Sequence, residues 1–203
     1  MKPKVKGLYT IIDPSHAFPL SPREVALQYL QGGATILQLR MKSAPAGNVF
    51  EVAREIMGLK ELFDFQLIIN DHLEVAREIR ADGYHGGEND PPIEEAHKIL
   101  GDKKLVGYSS HSIPEALEAA KRGADYVAFG AIFPSPSKGH DHPVQGTWKL
   151  REVVRKLKVP VVAIGGIGRH NIKEVLATGV SSVAMISALV GHGVRTVDEV
   201  KFF

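Results

Sequence analysis

Hydrophobic and polar positions alternate along this chain in a pattern that repeats about eight times. Short β-branched runs end in polar or glycine residues, and each run is followed by a segment with helical spacing. The predicted strands cover 7–13, 35–40, 66–70, 83–85, 105–108, 125–130, 159–164 and 182–186. The predicted helices cover 22–30, 47–62, a segment around 75–79, 91–101, 112–123, 148–157, 169–178 and a last segment toward Phe203.

This order of elements predicts an α/β fold with a parallel sheet and right-handed crossovers. Eight strand–helix units close naturally into a (β/α)8 TIM barrel, which here must be compact because the chain is shorter than the ~250 residues usual for that fold. A doubly wound open sheet is the rival interpretation. It would normally carry a glycine fingerprint after the first strand, and the run from Thr10 to Pro14 has none.

Composition narrows the class of protein. The 203 residues are 44% hydrophobic and 24% charged, without a compositional break, so residues 1–203 are expected to form one domain. Lys and Arg total 25 against 23 acidic residues, and this balance argues against a nucleic-acid partner. The absence of cysteine excludes disulfides and thiolate chemistry. No apolar stretch approaches the roughly 20 residues of a membrane helix and no signal-peptide core follows the basic N-terminus, so a cytoplasmic protein is expected.

Polar clusters follow several predicted strands. They are the segment from Gln38 to Lys42, the pair Asn70 and Asp71, Asp90 beyond His85, and the segment from Ser135 to Lys138. In a barrel the carboxyl ends of all strands meet at one mouth, where active sites lie. Cations beside carboxylates suit a polyphosphate held together with a divalent metal. The sequence therefore predicts chemistry on a phosphorylated small molecule.

The residues also carry a family resemblance, in order, from about residue 7 to about residue 190. The matching strings are Gln38-Leu39-Arg40-x-Lys42, Ile68-Ile69-Asn70-Asp71, Ala81-Asp82-Gly83-x-His85-x-Gly87-x-x-Asp90, Gly107-x-Ser109-x-His111, Asp125-Tyr126-Val127, Phe133-Pro134-Ser135-Pro136-Ser137-Lys138, Val144-Gln145-Gly146, Ala163-Ile164-Gly165-Gly166-Ile167 and Val183-Ala184-Met185-Ile186-Ser187-Ala188. Together they resemble thiamine-phosphate synthase and its TenI-type relatives. Gly86 departs from the pattern, because an apolar residue is common at that position.

The resemblance implies an enzyme that joins a hydroxymethylpyrimidine diphosphate to a hydroxyethylthiazole phosphate and releases pyrophosphate. It implies that Asp71 and Asp90 bind Mg²⁺ and that the diphosphate is held by Arg40, Lys42, Asn70 and Lys138. Gln38 and Ser109 would contact the pyrimidine. Ser135 and Ser137 would stand where the family usually has threonines. Lys138, Ser109 and His111 become the candidate catalytic residues, and a homodimer is implied as the assembly.

The thiazole phosphate is assigned to Gly166, Ile186 and Ser187. The segments that hold these residues follow strands seven and eight and are expected to open helices. Backbone N–H groups at helix starts bind phosphate, and barrels commonly place a phosphate there.

Other interpretations remain open for these residues. Asn70, Asp71 and Asp90 are also good helix-start residues, and the cations could be solvated strand ends. His111 could be a hydrogen-bonded rim histidine, and His140 and His142 a metal site or polar loop residues. At the level of function, a TenI-like thiazole tautomerase would keep His111 and the thiazole phosphate site without needing Mg²⁺. A non-catalytic sensor of a thiamine intermediate could use the same rim.

Overall fold

The structure is a computed structural model that describes residues 2–17, 19–134, 143–190 and 196–203. Eight parallel strands pair in chain order, and the last pairs with the first to close a barrel. The strands are β1 Gly7–Ile12, β2 Ile36–Leu39, β3 Gln66–Asn70, β4 Gly83–Gly86, β5 Leu105–Ser110, β6 Tyr126–Gly130, β7 Val161–Ile164 and β8 Ser182–Met185. The predicted TIM barrel is therefore confirmed.

Helices follow the strands and cover the outside of the barrel. They are α1 Pro14–Ala17, α2 Pro22–Gln31, α3 Ala46–Met57, α4 Leu73–Glu78, α5 Ile93–Leu100, α6 Ile113–Lys121, α7 Gly146–Lys156, α8 Ile172–Leu176 and α9 Thr196–Phe202. The short α1 has no counterpart among the predicted helices. The predicted helix 47–62 ends early, and a 3₁₀ turn at Gly58–Glu61 takes its place. Within the described residues, no helix has both the length and the apolar character needed to cross a membrane.

Local chemistry at the helix starts explains two of these boundaries. Ser21 caps α2 by accepting a hydrogen bond from the backbone of Glu24, and the Glu24 side chain accepts one from the backbone of Ser21. At the start of α6, Ser112 and Glu115 have the residue types and the spacing of the same reciprocal box. There the Ser112 hydroxyl does accept from the Glu115 backbone, but the Glu115 carboxylate accepts from the His111 backbone at 2.7 Å. Only the Ser112 half of the box is thus formed, and the Glu115 carboxylate instead fixes His111, the residue before the cap.

The apolar core has two parts, one on each side of the sheet. The outer part fills the space between strands and helices and includes Leu37, Leu67 and Val127. The inner part fills the barrel and includes Ile11, Ile36, Ile68, Leu105 and Val162. Because successive strand residues point to opposite sides, every strand except β4 contributes to both parts, and β4 contributes only Tyr84, to the outer part. The interior of the barrel is thus packed, and the cavity at the carboxyl ends of the strands lies above this apolar layer.

Candidate active site

A cavity of about 770 Å³ opens at the carboxyl ends of the strands. It is lined by every predicted site residue that the structure describes: Gln38, Arg40, Lys42, Asn70, Asp71, Asp90, Ser109, His111, Gly166, Ile186 and Ser187. The remaining predicted residues, Ser135, Ser137 and Lys138, and the histidines His140 and His142, lie outside the described residues. Closure of the barrel thus gathers side chains that are up to about 150 positions apart in sequence.

Asp71 and Asp90 form a carboxylate pair in this mouth. Asp71 follows β3, and its backbone N–H donates to the carbonyl of His85 at the end of β4, at 2.9 Å. Asp90 lies in the loop after β4, where its Oδ2 accepts from the backbone of Gly87 at 2.8 Å. Burial, the charge of Asp90 and a hydrogen bond shared with Asp90 raise the pKa of Asp71 to about 6, although Arg40 and Lys42 lower it. Two carboxylates held this close repel each other when both are ionised.

The backbone of Asp71 is unusual as well. Its φ angle is +63°, in the left-handed region that non-glycine residues seldom adopt. Asp and Asn enter this region more readily than other residues with a side chain, because their short polar groups bond locally. Such conformations cluster at functional sites, where the surrounding contacts hold them in place.

Arg40 is held by a partner that the sequence analysis missed. Its Nη1 donates to Oδ2 of Asp13, the residue directly after β1. Burial opposes ionisation of Asp13, but hydrogen bonds from Ser15 and Arg40 outweigh it and hold the pKa of Asp13 below its usual range. Asp13 is therefore an anion that orients the Arg40 guanidinium at the mouth. Its position one residue past a strand end was the signal that could have identified it.

His111 is fixed at the end of β5. Its Nδ1 lies 2.9 Å from the carbonyl oxygen of Gly130, and a carbonyl can only accept, so Nδ1 carries the proton. The ring is thus held from one side while its residue lines the cavity. This places His111 in the mouth as predicted, and its role in proton transfer stays a prediction.

The two segments predicted to bind the thiazole phosphate, after β7 and β8, do not have the helical structure that was predicted for them. Residues 169–171 form a turn, and α8 begins only at Ile172, while a turn and not a helix follows Ile186. The amide of Gly168 already donates to Oδ1 of Asn171 at 2.8 Å. The prediction that helices open directly at these two segments is therefore wrong. Gly166 remains close to the cavity in a turn with φ of +66°, and a Cβ there would lie 2.5 Å from the carbonyl oxygen of Pro134.

A second ion pair that the sequence analysis missed lies beside this turn. Nε of Arg169 is 3.0 Å from Oε2 of the buried Glu199 in α9, and its guanidinium lies over the ring of Phe202, 3.7 Å from the centroid. Arg169 and Glu199 both line the cavity. Nothing in the local sequence pattern signals this contact, because the two partners are 30 positions apart and meet only through the barrel.

The fold and the site together define a class of protein. It is a (β/α)8 barrel whose mouth combines a carboxylate pair with cations, an arrangement suited to a phosphorylated ligand and a divalent metal. The sequence model of one family, described as thiamine monophosphate synthase, matches residues 8–189.

Individual relatives agree. A thiamine-phosphate synthase of Clostridium novyi is 43% identical over 183 residues, which are 90% of this chain and 89% of the relative. One of Pyrococcus horikoshii is 44% identical over 164 residues, 81% and 78% of the two chains. The solved structure of a thiamine phosphate pyrophosphorylase from Pyrococcus furiosus superposes with a TM-score of 0.85 at 36% identity, covering 96% of this chain and 92% of that one. The chain belongs to the thiamine monophosphate synthase family.

Proposed function

We propose that this chain is a thiamine-phosphate synthase, a transferase that joins a hydroxymethylpyrimidine diphosphate to a hydroxyethylthiazole phosphate with release of pyrophosphate. The observation that carries the proposal is the carboxylate pair Asp71 and Asp90 within reach of the charges of Arg40 and Lys42. A tautomerase or a sensor of the thiazole alone has no need of such a pair.

The carboxylate pair fits Mg²⁺. Across the described ranges 2–17, 19–134, 143–190 and 196–203, no group of three or more His, Cys, Asp or Glu side chains is arranged to hold a metal. Mg²⁺ in particular is usually held by one or two carboxylates, with water and substrate phosphates completing its shell. Asp71 and Asp90 would hold the ion, which would neutralise charge on the departing diphosphate. A divalent cation would also relieve the repulsion from Asp90, which adds to burial in raising the pKa of Asp71.

The cations at the rim act on the leaving group. Arg40, oriented by Asp13, and the exposed Lys42 would bind diphosphate oxygens, and the amide of Asn70 at the end of β3 would donate to a third. Lys138 would add a further positive charge. Fixed donors aimed at the site where charge develops stabilise the transition state without reorganising during the reaction.

The two organic halves would occupy neighbouring parts of the cavity. Gln38 and Ser109 would bind the pyrimidine above the apolar base of the barrel. Gly166, Ile186 and Ser187 would bind the thiazole phosphate on the other side. Ser135 and Ser137 would supply hydroxyl groups to the thiazole phosphate and the leaving group. Holding both substrates in one mouth converts a bimolecular step into an effectively intramolecular one.

The proposed reaction breaks one bond and forms one bond, and neither step needs a strong base. The bond between the pyrimidine methylene carbon and the diphosphate oxygen breaks, and its electron pair leaves with the oxygen. The resulting pyrimidine-stabilised cation is attacked by the lone pair of the thiazole nitrogen, which forms the new carbon–nitrogen bond. Leaving-group stabilisation is therefore the main task of the protein.

A coupling assay with both phosphorylated halves, with and without Mg²⁺, tests the proposal. We expect thiamine phosphate and pyrophosphate only when Mg²⁺ is present. Asp71→Asn should abolish coupling and leave binding of the thiazole phosphate, measured by calorimetry, unchanged. Asp102→Asn is the matched control, because Asp102 is an exposed carboxylate in the loop between α5 and β5, at the opposite end of the barrel.

The outcomes separate the candidates. Tautomerised thiazole without coupling would favour the TenI-like enzyme, and binding without turnover would favour the sensor. Unchanged turnover in Asp71→Asn would rule out Asp71 as a metal ligand.

Three further expectations, on the assembly, the domain organisation and the cellular location, also remain proposals. Sedimentation velocity tests the homodimer, limited proteolysis tests whether residues 1–203 form one domain, and cell fractionation tests the cytoplasmic location. Small phosphorylated substrates are the partners that this function implies.

A further inference from the structure

Five side chains on the floor of the cavity form a continuous row of hydrogen bonds. Gln38 Nε2 donates to Tyr9 Oη at 2.9 Å, and Tyr9 Oη lies 2.8 Å from Tyr126 Oη. Tyr126 Oη lies 3.0 Å from Nδ1 of His85, and Nε2 of His85 lies 2.8 Å from Ser109 Oγ. The row crosses the barrel from β2 through β1, β6 and β4 to β5. It therefore connects the two residues proposed to bind the pyrimidine.

The row is a built feature of the barrel. Gln38, Tyr9, Tyr126 and His85 are buried, and the His85 ring stacks on Tyr126 with an interplanar angle of 26°. A Cβ at Gly107 would lie 2.1 Å from Cζ of Tyr126, so glycine is required there for the phenol to cross the barrel. Burial raises the pKa of both tyrosines, and each therefore keeps its single hydrogen for the row.

The donors and acceptors in the row permit a consistent direction. Tyr9 accepts from the Gln38 amide, so its own hydrogen goes to Tyr126. Tyr126 then donates to Nδ1 of His85, and Nε2 of His85 carries the ring proton and donates to Ser109. With the Gln38 amide donating as it does here, the opposite direction would leave the hydrogen of Tyr9 without an acceptor among the hydrogen bonds of the described residues.

The direction fixes what the two ends of the row offer to a ligand. Gln38 uses one hydrogen of its N–H₂ group inside the row, which leaves its carbonyl oxygen as an acceptor beside the second N–H. Ser109 accepts from His85, so its own hydrogen is the group it can donate. The Gln38 end of the pocket therefore offers an acceptor and the Ser109 end offers a donor, and the two groups are linked through three intervening side chains.

We propose that Tyr9, Tyr126 and His85 are positioning residues that make Gln38 an acceptor and Ser109 a donor. The row thereby selects a ring that presents a donor and an acceptor together, as an aminopyrimidine does with its amino group and ring nitrogen. This inference rests on the proposed function. An oxopyrimidine, which presents an acceptor where the aminopyrimidine presents its donor, leaves the Gln38 carbonyl oxygen without a partner and binds more weakly.

The first test needs no substrate. Long-range ¹H–¹⁵N correlation spectra of the wild-type protein report which ring nitrogen of His85 carries the proton. We expect the Nε2–H tautomer, with Nδ1 as an acceptor. A ring protonated at Nδ1 alone, or at both nitrogens, would overturn the proposed direction.

The second test removes the central link and measures selectivity. Tyr126→Phe keeps the ring that fills the space beside Gly107 and deletes the hydroxyl. Calorimetry with a hydroxymethyl aminopyrimidine and with its oxo counterpart gives the ratio of their affinities. We expect Tyr126→Phe to reduce this ratio by about tenfold or more. Without the Tyr126 hydroxyl, Gln38 and Ser109 are no longer linked, and each can then act as a donor or as an acceptor.

Tyr29→Phe is the matched control. Tyr29 is also a buried tyrosine, and its hydroxyl donates to the carbonyl of Ile11 at 3.4 Å, outside the row. The wild-type ratio should persist in this variant. A steady-state comparison adds a second readout: Tyr126→Phe should raise KM for the pyrimidine diphosphate and leave KM for the thiazole phosphate unchanged.

Failure of this inference can be distinguished from failure of the proposed function. If the wild-type protein couples the two halves and Tyr126→Phe keeps the full selectivity ratio, the positioning role is wrong and the synthase stands. If the wild-type protein binds neither pyrimidine nor couples the halves, both proposals fall.

Discussion

Lowering the pH from 7 to 5 should weaken the binding of Mg²⁺ to the pair Asp71 and Asp90. Burial, followed by the charge and hydrogen bond of Asp90, raises the pKa of Asp71 to about 6. A proton on the pair then competes with the cation, because the metal needs ionised carboxylates. As the two groups are coupled, the proton belongs to the pair rather than to one oxygen.

The size of the effect follows from this pKa. For one competing proton the affinity is divided by 1 + 10^(pKa − pH), which is about 11 at pH 5 and about 1.1 at pH 7, so affinity falls about tenfold. With the ordinary aspartate value of 3.8, affinity would fall by less than about a tenth over the same range.

The same pKa shift also changes the stability of the metal-free protein. Between the ordinary and the raised pKa the native state binds more protons than the unfolded state, so this pair makes the free energy of unfolding decrease as pH rises toward 6. Saturating Mg²⁺ should remove that contribution.

Calorimetric titration with Mg²⁺ alone at pH 5, 6 and 7 measures the affinity. The exposed-carboxylate variant Asp102→Asn should follow the wild-type profile, whereas Asp71→Asn should bind weakly at every pH. Equal wild-type affinity at pH 5 and pH 7 would refute the argument that the raised pKa of Asp71 governs metal binding.

Three further predictions concern the surroundings of this pair. Asp71→Ala should lower the free energy of unfolding relative to Asp71→Asn by about 1 kcal/mol, because alanine tolerates the left-handed backbone less well; equal denaturant midpoints would contradict this. A Cβ at position 86 would lie 2.6 Å from Oη of Tyr84, a buried hydroxyl without a hydrogen-bond partner among the described residues. Gly86→Ala should therefore cost about 1–3 kcal/mol of stability, and less in a Tyr84→Phe background, as a double-mutant cycle would show; strict additivity would count against it. Asp13→Asn should raise KM for the pyrimidine diphosphate by about tenfold through loss of Arg40 orientation, with KM for the thiazole phosphate as the internal control and an unchanged pair of KM values as the contrary result.

The compensation between Tyr84 and Gly86 explains one departure from the family pattern. Gly86 stands where an apolar side chain is common, and in this structure the Tyr84 hydroxyl occupies the space that such a side chain would need. The sequence shows the two residues two positions apart on one strand face, but only packing reveals that one fills the volume that the other leaves.

The sequence by itself determined the order of the elements, the closure into a barrel and the residues at the strand ends. Period-2 and period-3.6 patterns are local, and a parallel eightfold alternation has few topological solutions. That is why Asp71, Asp90, Arg40 and Lys42 could be expected at one mouth before any coordinates, and they lie there. Their chemical roles stay predictions.

Only the tertiary structure decided which side chains contact one another. The ion pair of Arg40 with Asp13 and the row from Gln38 to Ser109 depend on strand register and on side-chain direction across the barrel. The helix predicted after β7 begins later than expected, because the Gly168 amide donates to the Asn171 side chain and delays its start. Whether residues far apart in sequence form such a contact depends on their distance to within a few tenths of an ångström. No one-dimensional pattern encodes distances that finely.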